Sequence, residues 1–126
     1  MSALVVLPGR LAVCRLPEDA DAALRPARPV SALVRRAGEL TVVCAEDDAP
    51  AGARVQGGWR ALEVAGPFEL TGVTGVLAGL AAPLAQAEVS IFAMATFDTD
   101  VLLVQEDALD RALTALRAAG HTVERR

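Results

Sequence analysis

Apolar positions along this chain follow two rhythms. Short runs rich in Val, Leu and Ile, bounded by Gly and Pro, predict strands; runs at three- and four-residue spacing predict helices. Residues 11–16 (LAVCRL) form a strand closed off by Pro8-Gly9 and Pro17. PEDADAALRPARP follows; its prolines leave room for one short helical turn after Pro17. Residues 30–36 and 39–45 flank Ala37-Gly38 and predict a hairpin. EDDAPAGARVQGG, rich in acids, Gly and Pro, then reads as a loop.

The pattern sharpens from Trp59. Residues 59–65 (WRALEVA) predict a strand ending at Gly66-Pro67. Within 72–87, Val73, Val76, Leu77, Leu80, Leu84 and Ala87 form one helical stripe. Pro83 lies inside it and is expected to remove a hydrogen bond and kink the helix. Residues 89–97 and 101–105 predict strands, with Asp98-Thr99-Asp100 between them as a turn. Asp107 is the expected N-cap of a second helix, with Asp110 in its first turn and Arg111 spaced to pair with Asp107. Leu109, Ala112, Leu113 and Leu116 make the stripe of that helix, and Gly120 is placed to end it in a left-handed turn. Residues 121–124 predict a last short strand.

This order, strand-helix-strand-strand-helix-strand, is the split β-α-β pattern of an α+β, ferredoxin-like fold. It implies a four-stranded antiparallel sheet with both helices on one face. Alanines and valines abound on the strands, so the opposite face is expected to be covered.

Composition narrows the function classes. Apolar residues make up 53% of the 126, enough for a packed core, while aromatics at 3% leave its filling to aliphatic side chains. A net charge of −4 with scattered arginines and no lysine argues against nucleic-acid binding. Cys14 and Cys44 each sit in an apolar strand and read as buried, reduced and structural. The first ten residues lack a signal-peptide pattern, and no apolar stretch is long enough to span a bilayer. The expectation is a cytoplasmic protein that engages neither membrane nor nucleic acid.

Four elements of the second half carry a family resemblance. They are the Gly-Pro turn after the first strand, the TGVLAGLAAPLA helix, the ATFDTD turn and the LVQEDALDRALTALRAAG strand-helix. Together they resemble ACT domains of small bacterial tandem-ACT proteins, themselves similar to CASTOR-type arginine sensors and to aspartate kinases. The resemblance implies an ACT domain over 59–126 and a degraded ACT-like unit over 1–58. It implies a regulatory, non-catalytic amino-acid sensor that forms a homodimer. The alternative is a ligand-free module for dimerisation or for a protein partner.

In this family an amino acid binds where ACT units meet. Carried onto this sequence, one wall of the site is Leu70, Thr71, Gly72, Val73 and Thr74. The other is Thr96, Phe97, Thr99 and Asp100, with Val89 and Ser90 nearby. The chemistry suits a zwitterion. Backbone N–H groups at a helix N-terminus receive a carboxylate, and Gly72 and Gly75 allow close approach. Asp98, Asp100 and the Thr96 hydroxyl offer acceptors to an ammonium group. Val73 stands where the arginine sensors carry an acid, which favours a neutral or apolar amino acid over a basic one. Plainer readings stand beside these: a tight start to the helix for the glycines, a hairpin turn for Asp98-Thr99-Asp100, and a core position for Phe97. His121, the only histidine, has no metal-ligand or catalytic spacing to other residues and reads as a surface residue. No metal or other cofactor is expected.

Overall fold

A computed structural model describes residues 1–22, 29–66 and 74–126. The chain forms two compact units: Gly9–Trp59, and Met1–Pro8 together with Arg60–Arg126. The first eight residues thus pack with the C-terminal unit, whereas the sequence pattern groups 1–58 as one.

In the C-terminal unit the predicted order is present, with an added strand. The strands are β1 (Ala3–Val6), the end of β5 (Arg54–Val64), β6 (Ile91–Ala95), β7 (Asp100–Gln105) and β8 (Thr122–Arg125). The helices are α1 (Val76–Gln86) and α2 (Leu109–Ala118). The sheet order is β8-β1-β5-β7-β6. β1 therefore lies between the two strands that a four-stranded version would pair directly. It runs antiparallel to β5, with Leu4 opposite Val64, and parallel to β8, with Leu4 opposite Val123. The expectation of an all-antiparallel four-stranded sheet is corrected to five strands with one parallel pair. The N-terminal ALVV run supplies the extra strand; its pattern is too short to announce where it pairs.

Leu4, Val6, Leu62, Val64, Leu102 and Val104 from the strands share one core cluster with Leu80 and Leu84 of α1 and Leu109, Ala112, Leu113 and Leu116 of α2. Both helices therefore cover the same sheet face. On the other face Ala61, Val101 and Leu103 are also buried. The VLLV run of β7 follows from this, since a strand buried on both faces needs no polar alternation.

Both helices end in the same hydrogen-bond pattern. In α2, His121 N–H donates to Leu116 O and Gly120 N–H to Arg117 O, with Gly120 at φ 96°. In α1, Val89 N–H donates to Leu84 O and Glu88 N–H to Ala85 O. This is the Schellman pairing, which requires a left-handed residue. Gly120 supplies it without strain, as its position in the sequence predicts. In α1 the residue is Glu88, at φ 58°. Arg111 bonds the carbonyls of Ala87 and Glu88 at 3.0 and 3.3 Å, pinning this turn. Replacing Glu88 by Gly should relieve the left-handed strain and stabilise the fold by about 0.5–1 kcal/mol. Urea denaturation would measure it, and a loss of stability would contradict the reading.

Three expectations near the helices are corrected. Asp107 is not an N-cap: it lies in a 3-10 turn, Glu106–Ala108, and α2 starts after Ala108 with no side-chain cap. Arg111 holds the end of α1 rather than Asp107. His121 is buried, only 8% exposed. Its Nδ1 accepts from Ser2 N–H at 2.9 Å, and Nε2 lies 3.0 Å from Gly79 O. The reason lies in α1. Pro83 has no N–H to offer the carbonyl four residues back, which is that of Gly79. The helix runs on through Pro83 to Gln86, and the imidazole takes up the orphaned carbonyl.

The other unit contains β2 (Leu11–Leu16), β3 (Ala32–Arg36), β4 (Glu39–Ala45) and the start of β5, in the order β3-β4-β2-β5. The predicted hairpin is β3-β4, with Arg36 opposite Glu39. Residues 54–58, expected in a loop, extend β5 instead, pairing Arg54 with Arg15 and Val55 with Cys14. Mostly exposed side chains on these residues hide the strand from any hydrophobic pattern. The 17–20 turn is present, closed by Ala20 N–H to Pro17 O. Ala12, Cys14, Leu16, Leu40, Val42 and Cys44 form the core of this unit. Both cysteines are free and buried. Burial, reinforced by the neighbouring Cys14 sulfur, pushes the Cys44 thiol up to about 11, so it stays protonated near neutral pH.

Candidate functional site

The candidate site is built around the turn joining β6 to β7. Ala95 pairs with Asp100, and residues 96–99 close the connection. Thr96 organises it. Its N–H donates to Thr99 O at 2.7 Å, and its Oγ1 donates to the same carbonyl while accepting from the Asp98 and Thr99 amides. That hydroxyl is therefore engaged by its own turn. It builds the site rather than standing open as an acceptor for a ligand ammonium group. Asp98 is exposed and Asp100 half-buried, and these two carboxylates remain as the acceptor pair. Phe97 is 78% exposed at the turn's tip, so its core reading is set aside. A four-residue turn held by its own backbone gives an inward side chain nowhere to go.

The Thr99 hydroxyl donates to Val64 O at the end of β5. The turn is thereby fastened beside the place where the chain leaves the sheet for residues 67–73. Of the first predicted wall, Leu70, Thr71, Gly72 and Val73 lie outside the described residues. Thr74 follows that segment directly and is exposed. Next to it Gly75 caps α1 in the left-handed conformation, φ 79°. Among the described residues no side chain caps the helix, and no acidic residue occupies its first turn. The first amides of α1 therefore point outward without a carboxylate from their own helix. A Cβ added at Gly75 would meet no atom within 4 Å, so the glycine serves backbone conformation rather than tight packing.

Val89 and Ser90 are placed differently. They follow α1 and precede Ile91, which pairs with Val104 at the far end of β7. Eleven helical residues separate them from Thr74, about 16 Å along the axis. The five residues of β6 separate them from Thr96, about 17 Å. Val89 is buried in the core cluster, where it packs rather than faces a ligand. The structure thus fastens the Thr96–Asp100 turn beside Val64 and sets Thr74 just ahead of α1, and puts Val89 and Ser90 at the other end of both α1 and β6. The anchoring of Thr99 to Val64 had no sequence signal, since the partners are 35 residues apart.

A split β-α-β sheet with both helices on one face defines a ferredoxin-like module. The chain belongs to the ACT domain family, which it matches over residues 54–118. Protein Atu0741 from Agobacterium tumefaciens has a similar structure, with a TM-score of 0.87 and 30% identity over 99% of this chain and 93% of that one. A Vibrio cholerae protein of unknown function, VC0802, follows at TM-score 0.71 and 22% identity, over 94% and 89% of the two chains. The ligand-free regulatory subunit of aspartate kinase from Thermus thermophilus shares the fold at TM-score 0.61 and 11% identity, over 90% and 94%. No curated protein matches the sequence. No helix among the described residues is long and apolar enough to cross a membrane.

Proposed function

We propose that this protein is a cytoplasmic, non-catalytic amino-acid sensor of the tandem-ACT, CASTOR-like type. One observation supports the reading: the carboxylate-bearing turn, Asp98 to Asp100, is tied through Thr99 to Val64 at the end of β5, and the next helix along the chain starts on Gly75 and carries no acidic residue. The helix amides suit the ligand's carboxylate and the two aspartates suit its ammonium group. Thr71, Gly72 and Val73 would complete the wall between them. With Val73 in place of an acid, a neutral or apolar amino acid is favoured over a basic one.

A thermal-shift series with the twenty amino acids, each at about 10 mM, tests this. A ligand with a dissociation constant of ~0.1 mM should add about 2.7 kcal/mol to apparent stability, a rise of several degrees. Asp98→Asn combined with Asp100→Asn should abolish the shift. A flat response to all twenty would rule the reading out.

A second reading, a ligand-free interaction module, is favoured by two features. Among the described residues β6 pairs only with β7, and exposed Phe97 stands beside its end. An open strand edge suits pairing with a second copy or a protein partner. The burial of Ala61, Val101 and Leu103 within a single chain favours this edge over the sheet face for a homodimer contact.

A further inference from the structure

His121 joins three elements that are distant in sequence. Its ring lies between the start of β1, through Ser2, and the first turn of α1, through Gly79, while its own backbone ends α2. Both ring contacts are to backbone groups of fixed polarity. A carbonyl oxygen can only accept, so Nε2 must carry the hydrogen that bonds Gly79 O. An amide N–H can only donate, so Nδ1 must be bare to receive Ser2 N–H. The two partners together select one state of the ring: neutral, with its proton on Nε2.

From this geometry we infer that His121 is a proton-operated clasp. In its neutral state it holds the Ser2 amide, just ahead of β1, against α1, and on taking up a proton at Nδ1 it releases that amide, while Ser2 O keeps its bond from Thr122 N–H. The protonated ring would set an N–H against an N–H at 2.9 Å, with both hydrogens competing for the same space. The Gly79 contact survives protonation, since Nε2 donates in either state. Only the β1 side of the clasp opens.

Among the described residues, the neighbouring elements offer the imidazolium no counter-charge through a direct contact. β1 and α1 carry no titratable residue. The charged groups of the other packed elements are the Met1 amino group, Arg60 and Glu63 of the end of β5, Asp110, Arg111 and Arg117 of α2, and Glu124 and Arg125 of β8. None of them bonds the ring. Arg117 is turned to Val123 O, Arg111 to Ala87 and Glu88, and Arg125 to Asp110. The sign of the effect follows. A protonated ring costs the folded chain the Ser2 hydrogen bond. The clasp's contribution to stability is therefore present while the ring is neutral and lost once it is protonated.

Glutamine at position 121 separates the proton from the packing. Its amide can donate to Gly79 O and accept from Ser2 N–H, but it does not titrate. Urea denaturation of the full chain at about pH 8 and about pH 5.5 would compare wild type with His121→Gln, since histidine changes charge between these values. Other titrating groups act equally in both, so the difference reports the ring. The folding equilibrium constant of the wild type should fall about tenfold further than that of the variant, the worth of one buried hydrogen bond. Equal pH dependence in the two proteins overturns the inference. Ring 15N shifts of the wild type give a second reading that needs no variant. A proton on Nε2 at the higher pH, with the Ser2 amide signal moving in step with the ring on acidification, supports the clasp. A proton on Nδ1, or a Ser2 amide indifferent to ring titration, overturns it.

Discussion

Leu80→Ala should destabilise the protein by about 3 kcal/mol, and Leu77→Ala by less than about 1 kcal/mol, although the two residues share one apolar stripe. Leu80 is 0% exposed and packs in the cluster joining both helices to the sheet; Leu77 is 43% exposed. Truncation at Leu80 removes buried methyl groups and leaves a space that a core closed by β5, β7 and α2 can only partly refill. Truncation at Leu77 exchanges water-facing atoms for water. In urea the Leu80 variant should show a clearly lower midpoint with an unchanged slope. The corresponding fall in melting temperature is about 10–15 °C. Equal losses from the two variants would mean that α1 sits rotated from the face described.

The contrast at Leu77 shows where sequence pattern stops. Periodicity marks a helix and a broad apolar stripe, but the width that the sheet accepts depends on a partner surface. The same division runs through the fold. β2, the β3-β4 hairpin, α1, α2 and the β6-β7 connection were legible because local spacing and turn residues set them. β1 was not, because its identity as a central strand rests on pairing with residues some 119 positions away. The start of β5 was not, because exposed polar side chains and a Gly-Gly step conceal an edge of backbone pairing. For the site, the Asp98–Asp100 turn was legible from turn chemistry. The internal use of the Thr96 hydroxyl was not, since a hydroxyl's partners depend on backbone geometry. Val89 and Ser90 are close to the turn in sequence but are parted from it by the rigid length of β6. His121 was misread because both its ring partners come from other elements.

Pro83→Ala should stabilise the protein by about 1–2 kcal/mol, an unusual sign for a change at a half-buried position. A proline inside a helix costs about 3 kcal/mol relative to alanine, through the lost hydrogen bond and the clash with the preceding turn. Part of that cost is already offset here, because His121 bonds the Gly79 carbonyl. Part of the gain is also lost to the unfolded chain, which proline restricts and alanine does not. In the variant, the backbone N–H restored at this position would bond Gly79 O directly. Leu84 and Leu80 would keep their places on the buried face. Thermal and urea denaturation would both register the gain. A variant less stable than wild type would indicate that the proline ring itself fills space in the packing of α1.

The position of β1 has a consequence for the order in which the molecule can be made. Its four residues are made before the Gly9–Trp59 unit, yet one of the strands they pair with, Thr122–Arg125, follows every other described strand. The C-terminal sheet is thus closed by strands from opposite ends of this sequence, with the whole of the Gly9–Trp59 unit lying between β1 and the end of β5 along the chain. Such pairing is among the most non-local a chain of this length can have, and non-local contacts are slow to form. During synthesis β1 has β5 as a partner once Val64 is out, but β8 only when translation has passed Arg125. The enclosed unit has all its strands much earlier. Folding of this protein is therefore expected to proceed from the inserted unit outward, with completion of the C-terminal sheet following it.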